Sequence, residues 1–327
     1  MNKKPIFGLT AIALGLLMAT HAAAADEYTA QMKDRKFAEV EKAATAKLAK
    51  DPSDAAAMIA RTMAILSTRD GRFDQAAAQA EKCVAAHPAN GGCHLALGKA
   101  LGSKAMAGGI SSALGYAGTI RDSFKKAVAL NPRDYEARFS LMEYYMMAPF
   151  LVGGGTGKAE ALAKETAVIN PEAGRMMFAN LDLNDDKVAK AEAAVLASKP
   201  GADDDLQQRQ EGLLNAIGGS YMNEKKFADA NRVLREAQKR YPDSPDVVYM
   251  MARVQQEQGQ HREALAGFEQ VLPKTPHPHV HYRIGKSLQA LGEKARAVSA
   301  FEKAISFKGL GKASRADAEE QLKSLKG

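Results

Sequence analysis

The sequence has 327 residues, with 45 Lys and Arg against 38 Asp and Glu, no Trp and two Cys. Charges of both signs alternate along it, as in residues 33–36, which indicates solvated helix faces and not the basic stripe of a nucleic-acid-binding protein. Ala is abundant and, with Leu, Lys, Glu and Gln, favours helix almost everywhere. We therefore expect an all-α protein that does not bind nucleic acid.

Residues 1–25 have the features of a secretory signal peptide. They carry two lysines at positions 3 and 4, continue as an apolar run over 6–18, and end in small residues that fit cleavage before Asp26. The run is shorter than the ~20 residues of a bilayer span, although an uncleaved N-terminal anchor is the alternative. No later segment reaches that length without charges. We expect a periplasmic protein with no stable membrane span after cleavage.

The remaining chain repeats a pattern of small, apolar and aromatic residues. Apolar stretches end in a proline several times, and Pro242 and Pro276 are 34 residues apart. The pattern is clearest at Leu214, Ile217, Gly218, Tyr221, Ala230, Leu234 and Ala237, and again at Val248, Met251, Ala252, Gly259, Ala264, Phe268 and Val271. In these features the sequence resembles the tetratricopeptide repeat family over nearly all of residues 26–327. The resemblance implies an α-solenoid of stacked antiparallel helix pairs with one continuous core.

The repeat pattern divides the chain into five parts. They are a signal peptide at 1–25, an N-terminal helical partial repeat at 26–52, degenerate units with two Gly-rich insertions at 53–200, three regular units at 201–309 and a capping helix at 310–327. The final stretch is polar and amphipathic, as the terminal cap of a helical stack must be.

The two cysteines lie in neighbouring predicted helices. Cys83 ends one second helix, and Cys93 begins the next first helix. An oxidising periplasm permits a disulfide between them, but both positions also suit a small buried hydrophobic residue. The sequence leaves the two alternatives open, because it does not give the Cα separation that a disulfide requires.

Two insertions interrupt the period. Pro88 and Pro132 are 44 residues apart, and Pro132 and Pro171 are 39 apart. The excess falls in Gly-rich, apolar segments at 105–118 and 148–158, which we expect to be loops on the same edge of the stack. Such loops either fold back on their own helices or expose an apolar patch to a partner. The candidate contacts in the second loop are Phe150, Leu151 and Val152.

The first helices of each pair line the concave groove in the family that this sequence resembles. Tyr249 and Tyr282 occupy equivalent positions one repeat apart, as do Arg253 and Lys286. Tyr and Arg are enriched at binding hot spots, so these side chains could hold an extended peptide with an acidic residue or a free C-terminus. The alternative is an ordinary solvated helix face. Further candidate groove contacts are Phe139 and Asn215.

A histidine cluster provides an alternative site. His277, His279 and His281 are spaced closely enough to share a metal, and imidazole suits zinc and copper. Pro278 forces an extended start, however, and no carboxylate or Cys adjoins the cluster. The second hypothesis is accordingly a periplasmic protein that binds a metal or small ligand.

Signatures of enzymes are missing from the sequence, including those of nucleotide-binding loops, zinc proteases and α/β-hydrolases. We therefore expect no catalytic activity and no cofactor. The favoured hypothesis is a periplasmic scaffold or adaptor that binds a protein or peptide in its concave groove, with a partner that the fold does not identify.

Overall fold

The computed structural model describes residues 28–327, so the predicted signal peptide at 1–25 lies outside the described residues. All regular elements in the described range are helices, which confirms the all-α prediction. After a helical segment at 28–33 come α1 (Phe37–Lys50), α2 (Ala55–Thr68), α3 (Phe73–Ala86), α4 (Gly91–Gly108), α5 (Ile110–Leu130), α6 (Tyr135–Met147), α7 (Thr156–Ile169) and α8 (Pro171–Asn184). Then follow α9 (Val188–Ala197), α10 (Asp204–Asn223), α11 (Phe227–Arg240), α12 (Pro245–Glu257), α13 (His261–Val271), α14 (Pro278–Ala290), α15 (Lys294–Ser306) and α16 (Lys312–Lys326). Within residues 28–327, no helix has both the length and the apolar character that a bilayer crossing requires.

The first helix of most pairs begins at a capping side chain. These side chains accept hydrogen bonds from backbone N–H groups of the first turn, which satisfies donors that have no partner inside the helix. The caps are Asp54, Asn90, Asp134, Asn170, Asp203 and Ser244. In four cases a proline stands two residues before the cap. The same short segment therefore ends one helix and starts the next.

Close helix crossings within a pair depend on glycine. A Cβ atom at Gly218 would lie 2.7 Å from Leu234, and one at Gly285 would lie 2.8 Å from Phe301. Each pair of residues is sixteen positions apart in the sequence. Gly98 makes the same contact with the ring of Phe124, 26 positions away. The first insertion therefore lies between the two helices of its unit and leaves their crossing unchanged.

The first helices form the inner layer of the superhelix. α10 packs on both α8 and α12, α12 packs on α14, and α14 packs on α16, whereas second helices pack mainly on first helices. Because the first helices approach one another across repeats, they line the concave face. The buried side chains form one large cluster from Ile65 to Val254, a second from Ala252 to Ala318, and two small ones, one in α1 and α2 and one around the two cysteines.

The first insertion is a helical extension, which differs from the loop expected at 105–118. α4 has 18 residues and α5 has 21, and only Gly109, with φ +80°, separates them. Ala, Leu and Met favour helix, and lengthening both helices keeps the inserted backbone hydrogen-bonded. Exposed apolar side chains at this end of the hairpin are Met106, Ile110 and Leu114.

The second insertion is an ordered loop with a 3-10 turn at Phe150–Val152. The Tyr144 hydroxyl donates to the Val152 carbonyl at 2.7 Å, and Arg121 Nη1 donates to the same oxygen at 3.3 Å. These bonds hold the backbone, while the side chains of Phe150 and Leu151 remain 80% and 93% exposed. The loop is therefore fixed by polar contacts and presents apolar side chains to solvent.

A disulfide joins Cys83 and Cys93, whose Cα atoms are 5.4 Å apart. This distance lies within the usual range for a bridged pair. Both residues are fully buried, beside Met58. The bond connects the end of α3 to the first turn of α4 and so ties two successive repeats together.

The N-terminal hairpin meets the C-terminal repeats. Lys33 pairs with Asp204, and Arg35 pairs with Asp246 and also donates to Thr275 Oγ1 at 3.3 Å. The turn at 69–72 lies against the turn at 307–311, since a Cβ atom at Gly309 would overlap the Arg69 carbonyl and one at Gly71 would lie 2.9 Å from Lys308 Cβ. We call these interactions the closure contact. They join parts of the chain that are more than 170 residues apart.

Candidate binding groove

The concave surface of α12 carries Tyr249 and Arg253, both half-buried. The Tyr249 ring packs 5.6 Å from the ring of Phe268 in α13. Arg253 Nη1 lies 3.9 Å from the sulfur of Met250, and its Nε is buried without a hydrogen-bond partner in the described chain. Burial lowers the pKa of Arg253, and the neighbouring Arg283 adds to this effect. Arg253 is thus a partly desolvated cation with unused donors.

On α14, the equivalent positions behave differently. Tyr282 is only 8% exposed, and its hydroxyl donates to Asp317 Oδ2 at 2.5 Å, which ties α14 to the capping helix α16. Burial and this hydrogen bond raise the pKa of Tyr282. Lys286 Nζ lies 5.7 Å from the Tyr282 ring. Of the two tyrosines at equivalent repeat positions, Tyr249 is therefore partly exposed, whereas Tyr282 is used for packing and Lys286 is the accessible group on α14.

In the central part of the concave face, the charged side chains form ion pairs with one another. Lys99 of α4 contacts Glu136 of α6, and Arg209 of α10 bonds to both Glu136 and Glu143 at 2.9 and 2.6 Å. Burial opposes ionisation of Glu136, yet Lys99 and Arg209 hold its pKa below the usual value. Four side chains from three helices thus form a network of alternating positive and negative charges in which each group has a partner of opposite sign.

Phe139 lies beneath this network and is only 1% exposed. The Arg209 guanidinium stands 4.3 Å from the centre of its ring, a cation–π contact. The prediction of Phe139 as a partner contact is therefore corrected, because helix α10 covers that position. Asn215, also on α10, is half-buried, and its Oδ1 has no hydrogen-bond partner in the described residues.

The three histidines occupy separate environments. His277 precedes α14 and is 9% exposed, and desolvation, reinforced by Arg69 and Arg35, lowers its pKa to about 4. The His281 ring stacks 5.8 Å from the ring of Phe307. His279 lies between them, half-buried. In residues 28–327 no group of three or more His, Cys, Asp or Glu side chains is arranged to hold a metal ion.

Sequence reasoning missed Arg35, Arg69 and Arg283, which approach the groove from both ends of the chain. Arg35 and Arg69 belong to turns near the N-terminus, and both adopt positive φ angles, 59° and 51°. Neither residue occupies a repeat position that points into the groove. Only the long-range geometry of the superhelix places them beside α14, so no local signal identifies them.

Comparisons with known proteins agree with this architecture. Two tetratricopeptide repeat family models match residues 221–292 and 278–309. The structure is similar to yeast Tom70, with TM-score 0.61 and 12% identity, over 90% of this chain and 59% of that one. It is also similar to the human IFIT1 dimer with PPP-AAAA, with TM-score 0.51 and 19% identity, over 83% of this chain and 63% of that one. A third similar structure is the APC/C hetero-tetramer Cut9-Hcn1, with TM-score 0.47 and 14% identity, over 88% of this chain and 52% of that one.

The chain spans about half to two thirds of the length of these three structures. No curated protein matches the sequence. The two likenesses with TM-scores above 0.5, both below 20% identity, bear on the fold alone, and the family models identify the repeats in the C-terminal part. Residues 221–309 therefore match tetratricopeptide repeat family models, and helix pairs of the same kind stack throughout residues 37–326.

Proposed function

We propose that this protein is a non-catalytic periplasmic scaffold or adaptor that binds a protein or peptide along the concave face of its C-terminal repeats. Repeats of this type form extended concave surfaces whose main use is binding to other proteins. The proposal gives the partner an acidic character, because Arg253 on α12 and Lys286 on α14 form no ion pair within the described residues.

The state of Arg253 is the observation that supports this proposal most directly. Its Nε is buried without a partner, and no carboxylate in the described chain forms an ion pair with it. A carboxylate of a partner beside this guanidinium would offset its uncompensated charge, since opposite charges attract more strongly in a partly desolvated site than in water. Tyr249, Asn215 and Lys286 lie on the same inner layer of helices and add aromatic, amide and cationic contacts.

Crosslinking and mass spectrometry of the full chain in the bacterial envelope would test the proposal. The groove variant combines Tyr249→Ala, Arg253→Ala and Lys286→Ala, with Tyr282→Phe in place of alanine so that packing against Phe301 survives. We expect the parent chain to capture a protein that the groove variant loses by at least about tenfold, since one or two hot-spot contacts contribute that much.

A matched control makes the same number of alanine substitutions, three, on the outer layer. It combines Arg235→Ala, Gln238→Ala and Arg262→Ala, which are exposed positions on α11 and α13. This variant should capture the partner as the parent does. If the groove variant captured the partner as well as the parent does, binding in the groove would be contradicted. Loss of the partner in both variants would indicate a general folding defect, which circular dichroism can detect.

The periplasmic location rests on the pattern of residues 1–25 and has its own test. We expect the mature protein to begin at Asp26 and to appear in the periplasmic fraction. N-terminal sequencing of the protein recovered after fractionation measures both. A protein that retains residues 1–25 and sediments with membranes would favour the anchor.

A further inference from the structure

Large apolar side chains that face solvent are concentrated in the two insertions. Within residues 28–327, eight large apolar side chains are exposed, and six of them lie in or beside these segments. They are Met106, Ile110, Leu114, Met147, Phe150 and Leu151, which are 53 to 93% exposed. We call this set the apolar edge. An exposed apolar cluster of this kind marks a surface that a protein or a membrane covers.

The two insertions present their apolar side chains on the same side of α5. At 3.6 residues per turn, Ile110, Leu114 and Arg121 share one face of this helix. Arg121 Nη1 donates to the Val152 carbonyl at 3.3 Å, and a Cβ atom at Gly153 would lie 2.8 Å from the same nitrogen. The loop of the second insertion therefore sits on the face of α5 that carries Ile110 and Leu114. The distance from Ile110 to Arg121 along the helix is about 16 Å, so both parts of the apolar edge can meet one surface.

The apolar edge protrudes from the stack and does not form a cleft. Part of it stands at the end of the hairpin of α4 and α5, where residues 105–120 carry no charge. The rest stands on the ordered loop after α6. Both helices of the hairpin satisfy their backbone groups internally, so its end can enter an apolar medium without leaving those groups unpaired.

The charges around the apolar edge are mostly positive. Residues 104–125 and 144–158 contain one carboxylate, that of Asp122, and four cations, Lys104, Arg121, Lys125 and Lys158. Two of the cations are paired, Arg121 with Asp122 and Lys104 with Asp74. The other two form no ion pair within the described part of the chain, and Nζ of Lys158 stands 5.9 Å from the centre of the Phe150 ring. Four cations against two carboxylates leave an excess of two positive charges beside the apolar side chains.

We propose that the apolar edge docks on a lipid bilayer with anionic headgroups. Its apolar side chains enter the interface of the bilayer, and its unpaired lysines contact the headgroups, the combination that peripheral binding to anionic membranes requires. A second copy of the chain fits the edge less well, because a symmetric contact between two such edges would bring their excess positive charges together. The proposal is independent of the groove, since α12 and α14 contribute no residue to the apolar edge.

A single Trp provides a test at one position, because the chain has no Trp of its own. In the full chain, Leu151→Trp places the probe on the apolar edge. The matched control is Val168→Trp, an apolar position that is 87% exposed near the far end of α7. With vesicles of equimolar phosphatidylglycerol and phosphatidylcholine, we expect the emission of the first to move to shorter wavelength and that of the second to stay unchanged.

This readout belongs to the position of the probe, so membrane binding through residues 1–25 would not imitate it. A shift in neither variant, or an equal shift in both, would overturn the proposal. The same holds if the emission of Leu151→Trp shifts as strongly with vesicles of pure phosphatidylcholine, because the lysines would then have no part in docking.

The role of the lysines is measured in the Leu151→Trp chain at low salt. We expect Lys125→Gln combined with Lys158→Gln to raise the lipid concentration of the half-maximal shift at least about tenfold, since each cation near an anionic surface contributes about a factor of five. The matched control combines Lys42→Gln and Lys82→Gln, exposed lysines of α1 and α3, and should behave as the unsubstituted Leu151→Trp chain does. Equal affinity in the two double variants would overturn the proposal.

The hairpin and the loop should insert together. In the same Leu151→Trp chain, we expect Ile110→Gln combined with Leu114→Gln to weaken vesicle binding at least about tenfold, because two apolar side chains then no longer leave water. If the emission instead shifts without lipid as protein concentration rises, and analytical ultracentrifugation shows a dimer that these two substitutions dissociate, the edge binds a second copy and the proposal is wrong.

Discussion

The imidazole of His277 is buried, and all but one of the charged groups around it disfavour its protonated form. Arg69 and Arg35 from the N-terminal turns and His279 from α14 disfavour the proton, and only Asp246 from α12 favours it. Its Nδ1 has no hydrogen-bond partner in the described residues. The pKa of about 4 in the folded chain therefore lies well below the usual 6.5, and the neutral form is the one that folding favours.

The difference in the pKa of His277 between the folded and the unfolded chain determines how stability changes with pH. Below pH 6.5 the unfolded chain takes up a proton at His277 that the folded chain does not, so the free energy of unfolding falls as pH decreases towards 4. The loss from this group approaches ~3 kcal/mol at the lower limit. We expect a His277→Gln variant, measured by urea unfolding at pH 7 and pH 4.5, to lose less stability over this interval than the parent. Parallel losses in the two proteins would contradict the prediction.

The residues of the groove show what a repeat pattern can and cannot predict. Repeat positions correctly place Tyr249, Arg253 and Lys286 on first helices of the inner layer. They do not predict that Asp317 of α16 accepts a hydrogen bond from the Tyr282 hydroxyl, or that Arg209 covers Phe139. The exposure of a side chain depends on which side chains of the neighbouring helix cover it. The repeat pattern does not predict this where the neighbouring helix differs from the repeat in length or sequence.

At the scale of the helix pair, small residues at the crossing are a packing requirement. A Cβ at Gly285 would lie 2.8 Å from the ring of Phe301, inside van der Waals contact, and this ring is fully buried. Gly212 also lies within a helix, α10, but a Cβ there would meet nothing within 4 Å. The two positions therefore share a backbone conformation and differ in the space available.

The same substitution should have opposite effects at these two positions. We expect Gly285→Ala to lower the free energy of unfolding by about 1–3 kcal/mol, because Phe301 must shift in a packed core. Gly212→Ala should raise it by about 0.5–1 kcal/mol, because alanine favours helix. Thermal unfolding followed by circular dichroism measures both. A stabilising Gly285→Ala would show that the helices can separate at this crossing without cost.

The two insertions show how far secondary structure can be predicted from this sequence. Their lengths and positions follow from the spacing of prolines, but their conformations do not. Gly108 and Gly109 suggest a loop, whereas the chain continues α4 to Gly108 and begins α5 at Ile110. Ala, Leu and Met around the glycines favour helix, and two extended helices can pack against each other along their added turns. Tertiary packing outweighs the turn signal of the glycine pair.

At the scale of the molecule, the stacked architecture could be predicted from the repeats, but the closure contact could not. Each helix pair determines only its relation to the next pair, and small rotations accumulate along the stack. Whether Arg35 reaches Asp246 depends on the sum of these rotations over seven units. Contacts at such separations leave no period in the sequence.

Gly309 provides a direct test of closure. A Cβ at this position would overlap the carbonyl of Arg69, so the two turns must separate before any larger residue can be accommodated. We expect Gly309→Ala to increase the radius of gyration measured by small-angle X-ray scattering and to lower the free energy of unfolding by about 1–3 kcal/mol. The increase reflects loss of the contacts that Lys33 and Arg35 make with the C-terminal repeats.

Gly311→Ala is the matched control, two residues along the same turn. A Cβ there would lie 3.8 Å from His279 Cε1, an ordinary contact, so the closure contact should persist and the scattering curve should equal that of the parent. Expansion in both variants would mean that the turn at 307–311 is generally intolerant of a side chain. Expansion in neither would mean that the two ends already separate readily in solution, so that the closure contact does not hold the superhelix closed.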